Sequence, residues 1–130
     1  MLRQEGDHNG GLGGIGLDLL EVDRLASALE RRPSLANRLF TERELVRVSE
    51  LGCHARHLAV RFCAKEAVAK ALALRDGSWH DVEVLGGGDG PPTVTLSGRA
   101  AQRAAELGVE RVELSLTHSK GMAGAVALLR

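Results

Sequence analysis

Two carboxylates and a group of cations stand out because their settings are wrong for ordinary surface charge. Asp18 interrupts the apolar run Ile15-Gly16-Leu17-Asp18-Leu19-Leu20, where a plain core strand would not place an acid. Glu66 and Lys70 lie one helical turn apart, with Arg61 and Lys65 close by, inside residues 53–74, a stretch without Gly or Pro. His118 falls between two strand-like segments. Paired carboxylates among cations suit a divalent ion and a phosphorylated ligand. Mg²⁺ takes one or two carboxylates plus phosphate and water oxygens, and Lys or Arg takes up the remaining phosphate charge. Each residue also has a plainer reading. Glu66 to Lys70 is the favourable i,i+4 order of a helix pair worth about 0.2–0.5 kcal/mol. Asp18 can cap the helix that follows it, and a loop histidine can be structural or solvated.

Other chemistries fit less well. Gly11-Leu12-Gly13-Gly14-Ile15-Gly16 spells a dinucleotide loop, but that loop needs a strand before it and a helix after it, whereas here a strand follows. Cys53, Cys63, His54 and His57 do not complete the ligand spacing of a zinc site. Cys63, between Phe62 and Ala64, reads as a small packing residue rather than a nucleophile. Ten residues of helix separate the two cysteines by about 15 Å, too far for a disulfide, which suits a reducing compartment.

Positioning these groups requires a particular set of elements. Ile15–Leu20 is expected to be a buried strand, and Val22, Leu25, Ala26 and Leu29 have helical spacing closed by Arg31-Arg32-Pro33. Thr41-Glu42-Arg43-Glu44 has the form of a capping box opening a short helix to about Ser49. Residues 53–74 form the longest expected helix, apolar almost all round and therefore mostly enclosed, so its charges call for partners or a ligand. Residues 81–85 and 93–96 read as a hairpin with a long turn cluster at Gly86–Pro92. Ser97 then caps a helix ending at Leu107 with Gly108 as its stop, followed by strands at 111–117 and 122–129 separated by His118-Ser119-Lys120-Gly121. The expectation is an α+β fold, an antiparallel sheet with a long central helix, in one domain over 14–130 after a loose Gly-rich leader at 1–13.

Seventeen Lys+Arg balance seventeen Asp+Glu in 130 residues, so no general basic field exists to collect nucleic acid. Two Phe, one Trp and no Tyr leave little for stacking bases. No stretch approaches the roughly 20 apolar residues of a membrane span, and the opening residues lack a signal-peptide core. A cytoplasmic location is expected.

Taken in order, Gly14-Ile15-Gly16-Leu17-Asp18, Arg24, Leu39-Phe40-Thr41-x-x-Glu44, Arg61-Phe62-Cys63-Ala64-Lys65-Glu66-Ala67-x-x-Lys70-Ala71, Trp79-x-Asp81-Val82-Glu83-Val84 and Ser115-Leu116-Thr117-His118-Ser119 resemble the holo-acyl-carrier-protein synthases, the small 4'-phosphopantetheinyl transferases. The resemblance covers nearly all of residues 14–130. It implies transfer of the 4'-phosphopantetheine arm of coenzyme A to a serine of an acyl carrier protein of fatty-acid or polyketide type, releasing adenosine 3',5'-bisphosphate. It implies Asp18 and Glu66 as Mg²⁺ ligands, Lys70 beside the same phosphates, and His118, Arg61 and Lys65 as further cofactor-binding cations. Whether Glu66, Asp18 or a metal-bound water takes the serine proton stays open. Arg24, extended by Arg31, matches the basic position that meets the acidic carrier protein, and a homotrimer with sites between subunits is implied. The alternative from another class is a noncatalytic module that binds coenzyme A or the carrier protein.

Three departures from the family pattern matter. Lys70-Ala71-Leu72-Ala73-Leu74-Arg75-Asp76-Gly77 replaces the usual glycine-rich continuation, Cys63 stands where Ala is common, and the leader is about ten residues longer than in the shortest relatives. None removes an implied metal ligand.

Overall fold

The stretch without Gly or Pro forms α4, His54–Ala71, and the other elements are arranged around it. The structure is a computed structural model that describes residues 14–75, 79–87 and 90–130. The leader at 1–13 and the Asp76-Gly77 part of the altered segment lie outside the described residues. Helix α4 ends earlier than expected. Ala73 turns left-handed at φ 57°, and the N–H groups of Ala73 and Leu74 donate back to the carbonyls of Lys70 and Ala69 at 3.1 and 2.9 Å. That is a Schellman cap built without glycine.

Strands β1 (Ile15–Glu21), β4 (Val112–Ser119) and β5 (Met122–Leu129) make an antiparallel sheet in the order β1-β5-β4. Its alternation puts Gly16, Ala123, Ala125 and Ala127 against α4, and these small residues let the helix approach closely. A Cβ at Gly16 would overlap the carbonyl of Ala67. Asp18, two residues further along the same face of β1, is thereby carried to α4. Its register partner Ala125 also faces Leu116 on β4.

Helix α1 (Val22–Arg31) follows β1, and α3 (Glu42–Ser49) opens with the capping box expected at Thr41 and Glu44. Between them α2 (Leu35–Leu39) is a five-residue helix that the sequence pattern, too short to show a period, did not reveal. The turn cluster expected at Gly86–Pro92 is largely strand. β2 (Val82–Gly87) and β3 (Gly90–Leu96) continue through it as a two-stranded sheet, and the pairing shifts register between Leu85 and Gly87, with Gly86 at φ 82°. Pro91 and Pro92 fall at this register shift, where the ladder is interrupted, on a strand with one open edge. Helix α5 (Gly98–Leu107) stops at Gly108, φ 72°, as expected, but Ser97 makes no side-chain cap. The Asp81 carboxylate accepts from Arg99 N–H at 2.9 Å instead.

One cluster of buried apolar residues joins these elements, with Phe40, Leu72, Val68, Val82 and Val84 its largest fully buried apolar members and alanines filling the α4–sheet contact. No helix among the described residues is long and apolar enough to cross a membrane.

Candidate functional site

Packing β1 on α4 brings together Asp18, Cys63, Glu66 and Lys70. The Lys70 ammonium donates to Asp18 Oδ1 at 3.0 Å and to the Leu17 carbonyl at 2.9 Å. Lys70 is more than half exposed, so it keeps a third N–H for a ligand. Glu66 is half-buried, and its Oε2 accepts from the Trp79 indole N–H at 2.7 Å. Glu66 therefore has one oxygen held by Trp79 and a second to offer, while Asp18 is held by Lys70 through Oδ1. The Cys63 thiol lies within reach of Asp18 and of the Ala123 carbonyl, at 3.5 Å from the latter. Burial, and then the negative charges of Asp18 and Glu66, push that thiol up to about 12. It stays protonated at neutral pH and acts as a small buried filler between the two acids, not as a nucleophile.

This donor set fits Mg²⁺. Among the described residues no group of three or more His, Cys, Asp or Glu side chains forms an all-protein metal cage. Two hard carboxylate oxygens beside a lysine are the arrangement in which Mg²⁺ draws its other ligands from phosphate and water.

Arg61 and Lys65, expected among the cofactor-binding cations, are not brought to the Asp18, Glu66 and Lys70 group. Lys65 is 1% exposed, and its three hydrogens go to Glu44 Oε1 at 2.8 Å, Trp79 O at 2.7 Å and Val82 O at 2.6 Å. None remains for a phosphate. Burial lowers its pKa, and the adjacent Glu44 carboxylate opposes that shift. Arg61, 3% exposed, donates to Gly86 O at 2.7 Å and His57 O at 3.4 Å. Its guanidinium ties α4 to β2 rather than facing solvent.

His118 is exposed and sits within β4 rather than in a loop, paired with Ala123. The turn after it shrinks to Lys120-Gly121, both at positive φ (50° and 79°), the geometry of a two-residue hairpin. His118 lies two strands and two residues from Asp18, on the order of 12 Å along the sheet. Its neighbour is His57, whose pKa is lowered first by burial and then by the fields of Arg61, Arg56, His118 and His54.

Arg24 and Arg31, one face of α1 apart by seven residues, line a cleft of about 530 Å³ with Lys120, Ser27 and the acids Glu21 and Asp23. Lys120 arrives through the β4–β5 turn, where Gly121 O accepts from Val22 N–H at 2.8 Å. Sequence reasoning missed Lys120, because nothing local links that turn to the start of α1. It also missed Trp79 as a site residue, although a sole tryptophan with a polar N–H beside a strand start is a signal that could have been followed.

The 4'-phosphopantetheinyl transferase superfamily model matches residues 14–127. The chain is 47% identical over 116 residues to a holo-[acyl-carrier-protein] synthase of Streptomyces avermitilis, covering 88% of this chain and 94% of the relative. Its fold superposes on the crystal structure of holo-[acyl-carrier-protein] synthase from Neisseria meningitidis with a TM-score of 0.80 and 29% identity, over 90% of this chain and 97% of that one. A Chronobacterium ammoniagenes ACPS–CoA complex matches with a TM-score of 0.77 and 29% identity, over 90% and 96% of the two chains. With sequence, family model and fold agreeing over nearly the whole described length, the chain belongs to the 4'-phosphopantetheinyl transferase superfamily.

Proposed function

We propose that this chain transfers the 4'-phosphopantetheine arm of coenzyme A to a serine of an acyl carrier protein, using the site at Asp18, Glu66 and Lys70. The supporting observation is the pairing of Asp18 with Lys70 across the β1–α4 contact, beside Glu66 on the next turn. In the reaction a serine Oγ–P bond forms, the phosphoanhydride P–O bond breaks, the serine proton is lost and adenosine 3',5'-bisphosphate leaves. Asp18 and Glu66 would hold Mg²⁺ through the oxygens not taken by Lys70 and Trp79. Bound there, the ion supplies charge stabilisation to the pyrophosphate. Lys70, fixed by two oxygens, directs its remaining N–H toward the leaving phosphate and neutralises the negative charge that develops on it. His118 lies at a distance that an extended nucleotide diphosphate spans, and takes the nucleotide phosphates. Replacing Asp18 by Asn or Glu66 by Gln should lower transfer by about a hundredfold or more while the unfolding transition is kept. Unchanged turnover in either variant would remove the metal assignment.

The cleft at Arg24, Arg31 and Lys120 suits the acidic surface of the carrier protein, of fatty-acid or polyketide type, and steers it by charge. Assembly as a homotrimer, with sites between subunits, is supported by the sheet face turned away from α4. There Ile15, Leu17 and Leu19 are 67%, 57% and 63% exposed, and Val126 adjoins them on β5. A stripe of that kind is costly in water and marks an interface. The cytoplasm, where coenzyme A and reduced thiols coexist, is the proposed location.

A further inference from the structure

Trp79 reaches Glu66 from a 3-10 turn, Trp79–Asp81, that is pinned to the same part of α4 that carries Glu66. Lys65 and Glu66 are consecutive. Lys65 donates to the carbonyls of Trp79 and Val82 at 2.7 and 2.6 Å, and Glu66 accepts the Trp79 indole N–H at 2.7 Å. The grip is therefore reciprocal, backbone through one residue and side chain through the next. Lys65 is itself fixed by Glu44, both side chains having no exposure, and the Glu44 carboxylate also accepts from Val84 N–H at 2.7 Å. The indole ring lies beside Phe62 with centroids 6.2 Å apart and planes tilted by 36°. Phenylalanine would keep the aromatic contact with Phe62, though with a smaller ring, and would lack the N–H. The one polar atom of the indole is given to a half-buried carboxylate. An indole N–H can only donate and does not titrate in the physiological range, so it occupies one carboxylate oxygen permanently.

We propose that Trp79 is a positioning residue for Glu66: its indole N–H fixes Oε2 so that Oε1 is presented to the cation, and the buried Lys65–Glu44 pair fixes Trp79 in turn. The inference rests on the reading of Glu66 as a metal-holding carboxylate. A carboxylate freed from its donor rotates and must be reordered on each binding event, which weakens the hold on the ion without altering chemistry once it is held.

The test uses the full chain with Trp79→Phe, titrating Mg²⁺ at saturating coenzyme A and apo carrier protein. The half-saturating Mg²⁺ concentration should rise about tenfold, and the rate at saturating Mg²⁺ should return to within about twofold of the parent. Electron paramagnetic resonance of free Mn²⁺, with coenzyme A present, should show the same weakening of binding without turnover. Because Trp79 is the sole tryptophan, growth on benzothienylalanine, which keeps the ring shape and lacks the N–H, changes this position alone and decides the matter if Trp79→Phe fails to fold. An unchanged metal dependence, or a fall in maximal rate with metal affinity intact, would overturn the proposal. If the parent chain transfers nothing, the functional reading fails, and the Mn²⁺ measurement still judges Trp79.

Discussion

Lys65 and Lys70 are five positions apart on one helix, and burial gives them opposite tasks. Lys65 is sealed in the core against Glu44, whereas Lys70 stands half in solvent against Asp18. At 100° per residue Arg61 and Lys65 fall on one side of α4, and Glu66 and Lys70 lie about 140° further round. The sequence thus held the distinction, but a helix apolar on every side does not say which charged face is open, and only the packed sheet and β2 decide it. Asp18 was legible for the opposite reason: an acid in an otherwise apolar strand is conspicuous. Replacing Lys65 by Met should destabilise the chain by about 3–5 kcal/mol, since it strands a fully buried Glu44 carboxylate. Urea unfolding checks this, and adding Glu44→Gln should recover part of the loss. A Lys65→Met protein of parental stability would contradict the internal role assigned to the pair.

Among the elements, long patterned segments were readable and irregular joints were not. The long Gly- and Pro-free run of α4, the Thr41 capping box and the β5 boundaries are set by local chemistry, so they appear in the sequence as they do in the fold. The β2–β3 pairing through Gly86 and the prolines depends on a register shift, and the α5 cap depends on Asp81 from another element. Neither leaves a local mark. The end of α4 was overrun because Ala73 gives no stop signal, yet it adopts φ 57°. A left-handed non-glycine costs roughly 1–2 kcal/mol, whereas glycine adds about 0.4–1 kcal/mol of unfolded-state entropy. The first effect is the larger, so Ala73→Gly should stabilise the fold by about 0.5–1 kcal/mol, seen as a rise of a few degrees in Tm. A lower Tm would show that the cap carries no strain.

At the scale of the whole molecule, a net charge of zero conceals the division of labour proposed above: Asp18 and Glu66 for a cation, Lys70 for phosphate, and Arg24, Arg31 and Lys120 for an acidic protein. The uncovered sheet face is the remaining large feature. Leu17→Asp places a charge in the middle of that stripe while leaving the Leu17 carbonyl to Lys70. Light scattering after size exclusion should find the parent as a trimer and this variant shifted to monomer, with transfer lost alongside; a monomeric parent would contradict the assembly. The central claim is tested most directly by the intact mass of an apo carrier protein incubated with this chain, coenzyme A and Mg²⁺. The account predicts a gain of one phosphopantetheine arm on the acceptor serine, abolished when Mg²⁺ is chelated or Glu66 is replaced by Gln. An unchanged carrier mass, across fatty-acid and polyketide carriers and with coenzyme A bound, would contradict it.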